Sequence, residues 1–385
     1  VQFIPAKLKV IDHYRETYEC RSCRKNGTPY MEKAPVPYPP VLHSLASAST
    51  ITWLIHQKFE LSIPLYRQEK EWEALGLRLS RATMSNWLLV VYRDWLVHIV
   101  HRLKLELLKQ RYLHIDETHV QVLKEPGRKN TSDSYMWVYC SIRDAVNPIR
   151  YFEYQPGRSG KYPEAFLREY EGYIHTDAYS GYNAVSGVKR CLCYTHLRRA
   201  FVDALPKDIH NSEASKPAEA ILRLNQLFNI ESELEALPPD QKKKERLIRE
   251  KPLLEAFWSW AEKSAIGELP KSKLSKAFHY ALNNREGFWN YLEDGNCSIS
   301  NSLAENCIRP FVIGRKNWLF SGSPKGAEAS AGIYTLVETA KANGLAPMKY
   351  IKYILSDMPG SAFLEHPEYL DDYLPWNPLV KEFCR

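Results

Sequence analysis

The hydrophobic period of this chain changes at residue 111, and that change limits the fold more than any other feature. Ahead of it, residues 41–108 carry the spacing of helices: Tyr66 to Leu75 is amphipathic, Gly76 stops it, and Ser80 suits the N-cap of a helix from Ser80 to Leu96. Beyond it the period is two. Thr118, Val120 and Val122 alternate with polar residues, and Met136, Val138, Cys140 and Ile142 form one face of a second run. Tyr135, Trp137 and Tyr139 form its other face, and the polar stretch from Pro126 to Ser134 makes the two runs a hairpin. Ile149–Tyr154 is a third strand. A helix (Pro163–Tyr170), a strand (Gly172–Thr176) and a strand (Lys189–Tyr194) leading into a helix (Leu197–Leu205) complete the set. Strands in hairpins followed by alternating helix and strand predict an α/β domain.

The flanks divide the rest. Residues 1–28 read as a strand-like piece carrying Cys20 and Cys23, and five prolines make 29–40 an extended, semi-rigid linker. Residues 41–108 are helical, and 109–345 hold the α/β domain. Within that domain, residues 207–295 are helical and charged without a strand signal, so an all-helical insertion is expected there. Residues 346–385 are a C-terminal helix and tail. The opening residues read as mid-domain sequence, so a preceding segment is expected. The chain carries 52 Lys+Arg against 45 Asp+Glu, a net +7, which suits a nucleic-acid partner without requiring one. No apolar run approaches a membrane span, and eight cysteines, several in short pairs, do not resemble a secreted disulfide framework, so a reducing cytoplasm is expected.

Three acids stand out by context. Asp116 lies in the strand-like Tyr112–Thr118, Asp177 ends the strand Tyr173–Thr176 before a Ser-Gly-Tyr turn, and Glu305 follows Asn301-Ser302-Leu303-Ala304. Arg309, Arg315 and Lys316 come soon after. Three carboxylates brought together can hold two magnesium ions, which can drive phosphodiester hydrolysis and transfer. Spacing proves nothing in a chain with 45 acids; the contexts carry the case. A partly buried, unpaired Asp116 would be costly, and a divalent cation removes that cost. Glu117 would point to the opposite face of a regular strand.

Those contexts resemble the transposases of the insertion-sequence 66 family. The matching stretches are His114–Thr118, Thr176–Asn183, Ser300–Pro310 and Gly314–Ser323, and the resemblance covers nearly the whole chain. Ser302 departs from the family, which usually has a second Asn there; that bears on a supporting hydrogen bond, not on the carboxylates. The order of elements is that of a ribonuclease H-like domain, and the resemblance implies that its first and fourth strands lie side by side with their Asp residues adjacent. It further implies a DDE-type DNA transposase in which Asp116, Asp177 and Glu305 bind Mg²⁺ (or Mn²⁺). DNA, both transposon ends and target, is the implied partner, with a homo-oligomer in the DNA complex and accessory proteins of the element. A bacterial cytoplasmic, nucleoid-associated location follows. A structure-specific nuclease and a domesticated, silent DNA-binding protein are the alternatives.

Four further motifs are weaker. Gly76–Trp87 looks like part of a helix-turn-helix whose second helix offers Arg81, Thr83, Ser85 and Asn86 to DNA. Arg309, expected one turn beyond Glu305, and Arg315 and Lys316, expected at or beyond the helix end, suit phosphate. Cys193 and His196 form a Cys-x-x-His pair that could be half a zinc site or sit at the active site; the bland reading is a buried thiol and a helix-starting His. Cys20-x-x-Cys23 has the shape of half a tetrahedral zinc site, and the resemblance makes it the second half of an N-terminal module. The partner pair would precede Val1, so two free thiols are expected here, with zinc only in a longer chain.

Overall fold

The computed structural model describes residues 1–2, 7–206 and 215–385. The expected beginning of the insertion at 207 therefore falls outside the described residues. Strands β1 (Thr17–Glu19) and β2 (Met31–Lys33) pair antiparallel around helix α1 (Arg21–Lys25). β2 thus falls inside the segment read as linker. Helices α2 (Ala48–Ile55), α3 (Leu65–Ala74), α4 (Arg81–Val91) and α5 (Val97–Leu108) follow, with wide π-helical turns at His56–Glu60 and Tyr92–Leu96. Ser80 caps α4 by accepting the Thr83 N–H, as its hydroxyl type favours. Their buried faces, including Ile51, Leu54, Met84, Val91 and Leu103, are continuous with the core under the sheet.

That sheet is built from β3 (Tyr112–Val122), β4 (Asp133–Ser141), β5 (Arg150–Gln155), β6 (Gly172–Thr176) and β7 (Val188–Leu192), with α6 (Lys161–Phe166) between β5 and β6 and α7 (Tyr194–Val202) after β7. The spatial order is β5-β4-β3-β6-β7: the first three strands are antiparallel, while β6 joins β3, and β7 joins β6, in parallel. β3 and β6 are thus the neighbouring first and fourth strands of the sheet. Trp137 and Tyr139 are as buried as Val138, because helices cover β4 from both sides. Tyr139 stacks on Phe166 of α6 at 3.6 Å.

Helices α8 (Lys216–Glu233), α9 (Pro239–Glu245), α10 (Lys251–Ala265), α11 (Lys273–Asn283) and α12 (Arg285–Trp289) form the insertion, which contains no strand among the described residues. Its core of Leu224, Phe257, Trp258 and Phe278 includes Tyr173, Cys191 and Leu192 of the β6–β7 edge. The chain then returns through α13 (Ser302–Trp318), β8 (Phe320–Ser321), α14 (Pro324–Ala342), α15 (Pro347–Asp357) and α16 (Pro378–Cys384). β8 pairs with the far end of β3, Gln121 opposite Phe320 and Val122 opposite Ser321.

Arg315 and Lys316 lie at the helix end, as expected, but inside it: α13 runs through Pro310 to Trp318, and both residues are in its last turn. Proline costs a helix one hydrogen bond, but here the packing of α13 opposes a break. A Cβ on Gly314 would lie 2.2 Å from the Trp318 ring and 2.6 Å from the Tyr334 hydroxyl of α14, so only glycine lets α13 approach so closely. Among the described residues, no helix is long and apolar enough to cross a membrane.

Candidate active site

The parallel register explains how two distant acids meet. His114 pairs with His175 across β3 and β6. Two residues further along come Asp116 on β3 and Asp177 just past the end of β6, near enough for the charge of Asp177 to act on Asp116. The two histidines stack with ring centroids 4.2 Å apart. His175 donates from Nδ1 to the Leu113 carbonyl at 3.2 Å and accepts the Ser298 N–H at Nε2, so the register is held by side chains as well as backbone.

Glu305 comes from α13, whose entry is fixed by Asn301. This residue, 1% exposed, donates to the Ile115 carbonyl at 2.8 Å and accepts from His114 Nδ1 at 3.0 Å. Its backbone N–H reaches the Cys193 sulfur at 3.1 Å. Further along the helix, Arg315 donates to the Thr118 hydroxyl at 3.0 Å and to the His119 carbonyl. His114 and Thr118 both meet α13 and flank Asp116 on the same face of β3 by strand alternation. Glu117 points the other way, to Arg158 at 2.6 Å and to the Tyr182 hydroxyl.

The electrostatics separate these acids. The Asp116 carboxyl is pushed up to about 8 by burial first, then by the negative charges of Glu117, Asp177 and Glu305. Among the described residues, no cation is paired with it. Asp177 accepts the Tyr179 N–H at 3.0 Å, and Arg158 comes only to 3.9 Å of its other oxygen. Around Glu305, His196 Nδ1 is 3.6 Å and Arg199 3.8 Å away, too far for hydrogen bonds. Glu305 Oε1 and His196 Nδ1 are both buried without a hydrogen-bond partner. An orphaned carboxylate oxygen and a carboxyl raised by burial and like charges fit a cation-binding site. Three carboxylates are a donor set of the kind that hard divalent cations take.

Cys193 and His196, at the start of α7, lie beside Glu305; one ligand atom from each of the three falls within 4.8 Å of the others. A second such group, His175, Cys191 and Cys297, is buried beneath. Of the residues nominated for DNA, Arg309 and Lys316 are exposed and have no ion pair or hydrogen bond among the described residues. Arg315 is instead committed to β3. Arg81, Ser85 and Asn86 are exposed on α4, while Thr83 is bound to the Ser80 cap. Ser302, at the family departure, is exposed and bonded to Ser300 at 2.9 Å, away from the carboxylates. Cys20 and Cys23 lie in the β1–β2 hairpin; the Cys23 backbone N–H holds the Cys20 thiol below its ordinary range.

Sequence reasoning missed the residues that hold the site. Arg190 binds the Thr176 hydroxyl at 2.7 Å and the Asp177 and Tyr179 carbonyls at 2.6 and 2.8 Å, fixing the turn behind Asp177. Arg158 braces the same turn from its Glu117 side, stacking over Tyr179 at 3.9 Å. No local pattern marks either one. Asn301 was legible in principle, as a helix-capping residue type just ahead of the third acid.

The model of the family described as "Transposase IS66 family" matches residues 43–329. An uncharacterized protein y4hP of Sinorhizobium fredii (strain NBRC 101917 / NGR234) is 26% identical over 394 residues, covering 97% of this chain and 69% of the relative. The uncharacterized protein y4jD of the same organism is 26% identical over 391 residues, covering 98% and 74%.

Proposed function

The chain belongs to the IS66 transposase family, and from that premise we propose that it cuts DNA at transposon ends and joins them to target DNA through a DDE-type site of Asp116, Asp177 and Glu305. The carrying observation is that three sequence-distant acids converge, and that burial and the neighbouring negative charges push Asp116 up to about 8. The strand order and the closeness of Asp116 and Asp177 favour a ribonuclease H-like domain for this chemistry. Two Mg²⁺ or Mn²⁺ ions held by the three carboxylates would activate the attacking oxygen and stabilise the leaving one.

The protein's own part is positioning. Asn301 and Arg315 hold the Glu305 helix along β3, and Arg190 holds the Asp177 turn. Glu117 stays out of the ligand set because Arg158 and Tyr182 occupy both its oxygens. His196, with a buried ring nitrogen aimed beside Glu305, is suited to touch the scissile phosphate. Arg81, Ser85 and Asn86 on α4 and Arg309 and Lys316 on α13 supply DNA contacts. A homo-oligomer on paired ends, with accessory proteins of the element, belongs to the same reading.

The test is a strand-transfer assay with labelled DNA carrying the ends that flank this gene, plus Mg²⁺. Joined products support transposition. Cutting without joining points to a nuclease, and end binding without metal-dependent cutting to a silent DNA-binding protein.

A further inference from the structure

Lys58 lies in the wide π-helical turn His56–Glu60, a geometry that recurs at functional sites. Its ammonium rests over the rings of Phe59 at 5.2 Å and Trp318 at 5.4 Å. No carboxylate pairs with it among the described residues; the nearest in sequence, Glu60, is engaged by His56 at 2.7 Å. Two ring faces offset only part of the cost of taking an ammonium out of water. Burial accordingly pushes the amine down to about 8. Half-buried, over two ring faces and with no carboxylate paired to it among the described residues, the ammonium is free to take an anion from outside the chain.

The space beside it suits one. A recess of about 110 Å³, well above the ~10–15 Å³ that admits one water, is lined by Lys58, Ser85, Trp318, Ser321, Gly326 and Ser330. Gly326 and Ser330 belong to the first turns of the 19-residue helix α14, whose positive dipole end therefore borders the recess. Ser330 donates its hydroxyl to the Gly326 carbonyl at 2.8 Å. Ser85 is on the exposed side of α4, and Trp318 ends the helix that begins beside Glu305.

We propose that this recess seats one backbone phosphate of bound DNA between Lys58, Ser85 and the first turn of α14, joining the α4 surface to the active-site helix in one footprint. The proposal rests on the transposase reading and adds to it a site and a ligand group. Seating the phosphate displaces condensed counterions from the DNA, so binding through Lys58 must show in the salt dependence.

The experiment measures dissociation constants for duplex DNA carrying the element's end over a salt series, with wild type, Lys58→Met and Lys58→Arg. Methionine keeps an unbranched stem against Phe59 and Trp318, and thermal melting checks that the variant is folded. Loss of several-fold in affinity at low salt is expected for Lys58→Met, with a log–log slope shallower by about 0.9; Lys58→Arg should retain most of both. A series of duplexes, each with one neutral methylphosphonate linkage, should reveal one position that weakens wild type but not Lys58→Met. Wild-type slope and an unchanged methylphosphonate profile in a folded Lys58→Met would overturn the phosphate seat while leaving the transposase reading intact. Failure of wild type to bind any duplex would overturn both.

Discussion

Two groups of acids lie in this molecule, one half-buried at the sheet and one buried in the insertion, and their surroundings are opposite. In the insertion, Arg246 is fully buried and spends all its donors: two on Glu231, at 2.5 and 2.8 Å, and three on the carbonyls of Tyr291, Asp294 and Cys297. Lys242 adds a second cation to Glu231 at 3.2 Å, and the Tyr291 hydroxyl donates to Glu250 at 2.6 Å. At the sheet, Asp116, Asp177 and Glu305 share no such partner, and the cations nearest Asp177 and Glu305 stop at 3.6 to 3.9 Å. The insertion group is a clamp: it ties α8 and the turn into α10 to the segment that leads to α13. The sheet group leaves like charges together, an arrangement that costs stability and suits the metal-binding reading proposed above.

Four measurements can break or sharpen that contrast. The largest effect is expected from Asp116→Asn, Asp177→Asn or Glu305→Gln, each lowering strand cleavage by at least ~10³-fold, as for one member of a group acting as a unit. The folded proteins should be no less stable than wild type without metal, and Mg²⁺ should raise the melting temperature of wild type but not of Asp116→Asn. Near wild-type cleavage by any of the three removes it from the set. Next comes Arg246→Met, which strands Glu231 in the interior and should cost about 3–5 kcal/mol in urea unfolding. A loss as small as that of a surface substitution would mean that the clamp is ornamental.

The third is a pH effect. Burial, then the charge of Glu231, pushes Glu250 up to about 8. A carboxyl with a raised folded pKa binds more protons when folded, so its contribution is full below the unfolded value. It is lost as pH rises from about 4.5 toward 8, at no more than ~1.4 kcal/mol per pH unit. Glu250→Gln should flatten the stability profile across that window; an equally steep profile would assign the slope to another group. The smallest effects concern salt. Arg309→Ala and Lys316→Ala should each make the salt dependence of DNA binding shallower by about one counterion's worth. Arg315→Ala should leave the slope alone and impair cleavage, because its guanidinium binds β3.

The strands were legible because alternation is a local signal, and β3 to β7 lie within a residue or two of where the period places them. α7 begins at Tyr194, three residues before the expected Leu197, because Tyr194 packs on Phe288 and Tyr291 of the returning chain. β8 has two residues and no period to show. The continuation of α13 past Pro310 depends on the fit of Gly314 against Tyr334, which no local rule contains. At the site, each acid was marked by its neighbours, whereas Arg158 and Arg190 act across 41 and 13 positions through bonds that exist only once the sheet has formed.

α13 is fastened along β3 at three levels: Asn301 to Ile115, Arg315 to Thr118 and His119, and β8 to Gln121 and Val122. The strand bearing Asp116 and the helix bearing Glu305 are therefore one cooperative unit toward local opening, and their amides should share a single high protection in hydrogen exchange. The carboxylates of Asp116 and Glu305 are thus positioned relative to each other by contacts within the chain itself. Asp177, on a turn after a five-residue strand, is held instead by Arg190 from behind, so its amide protection should report on a unit separate from α13.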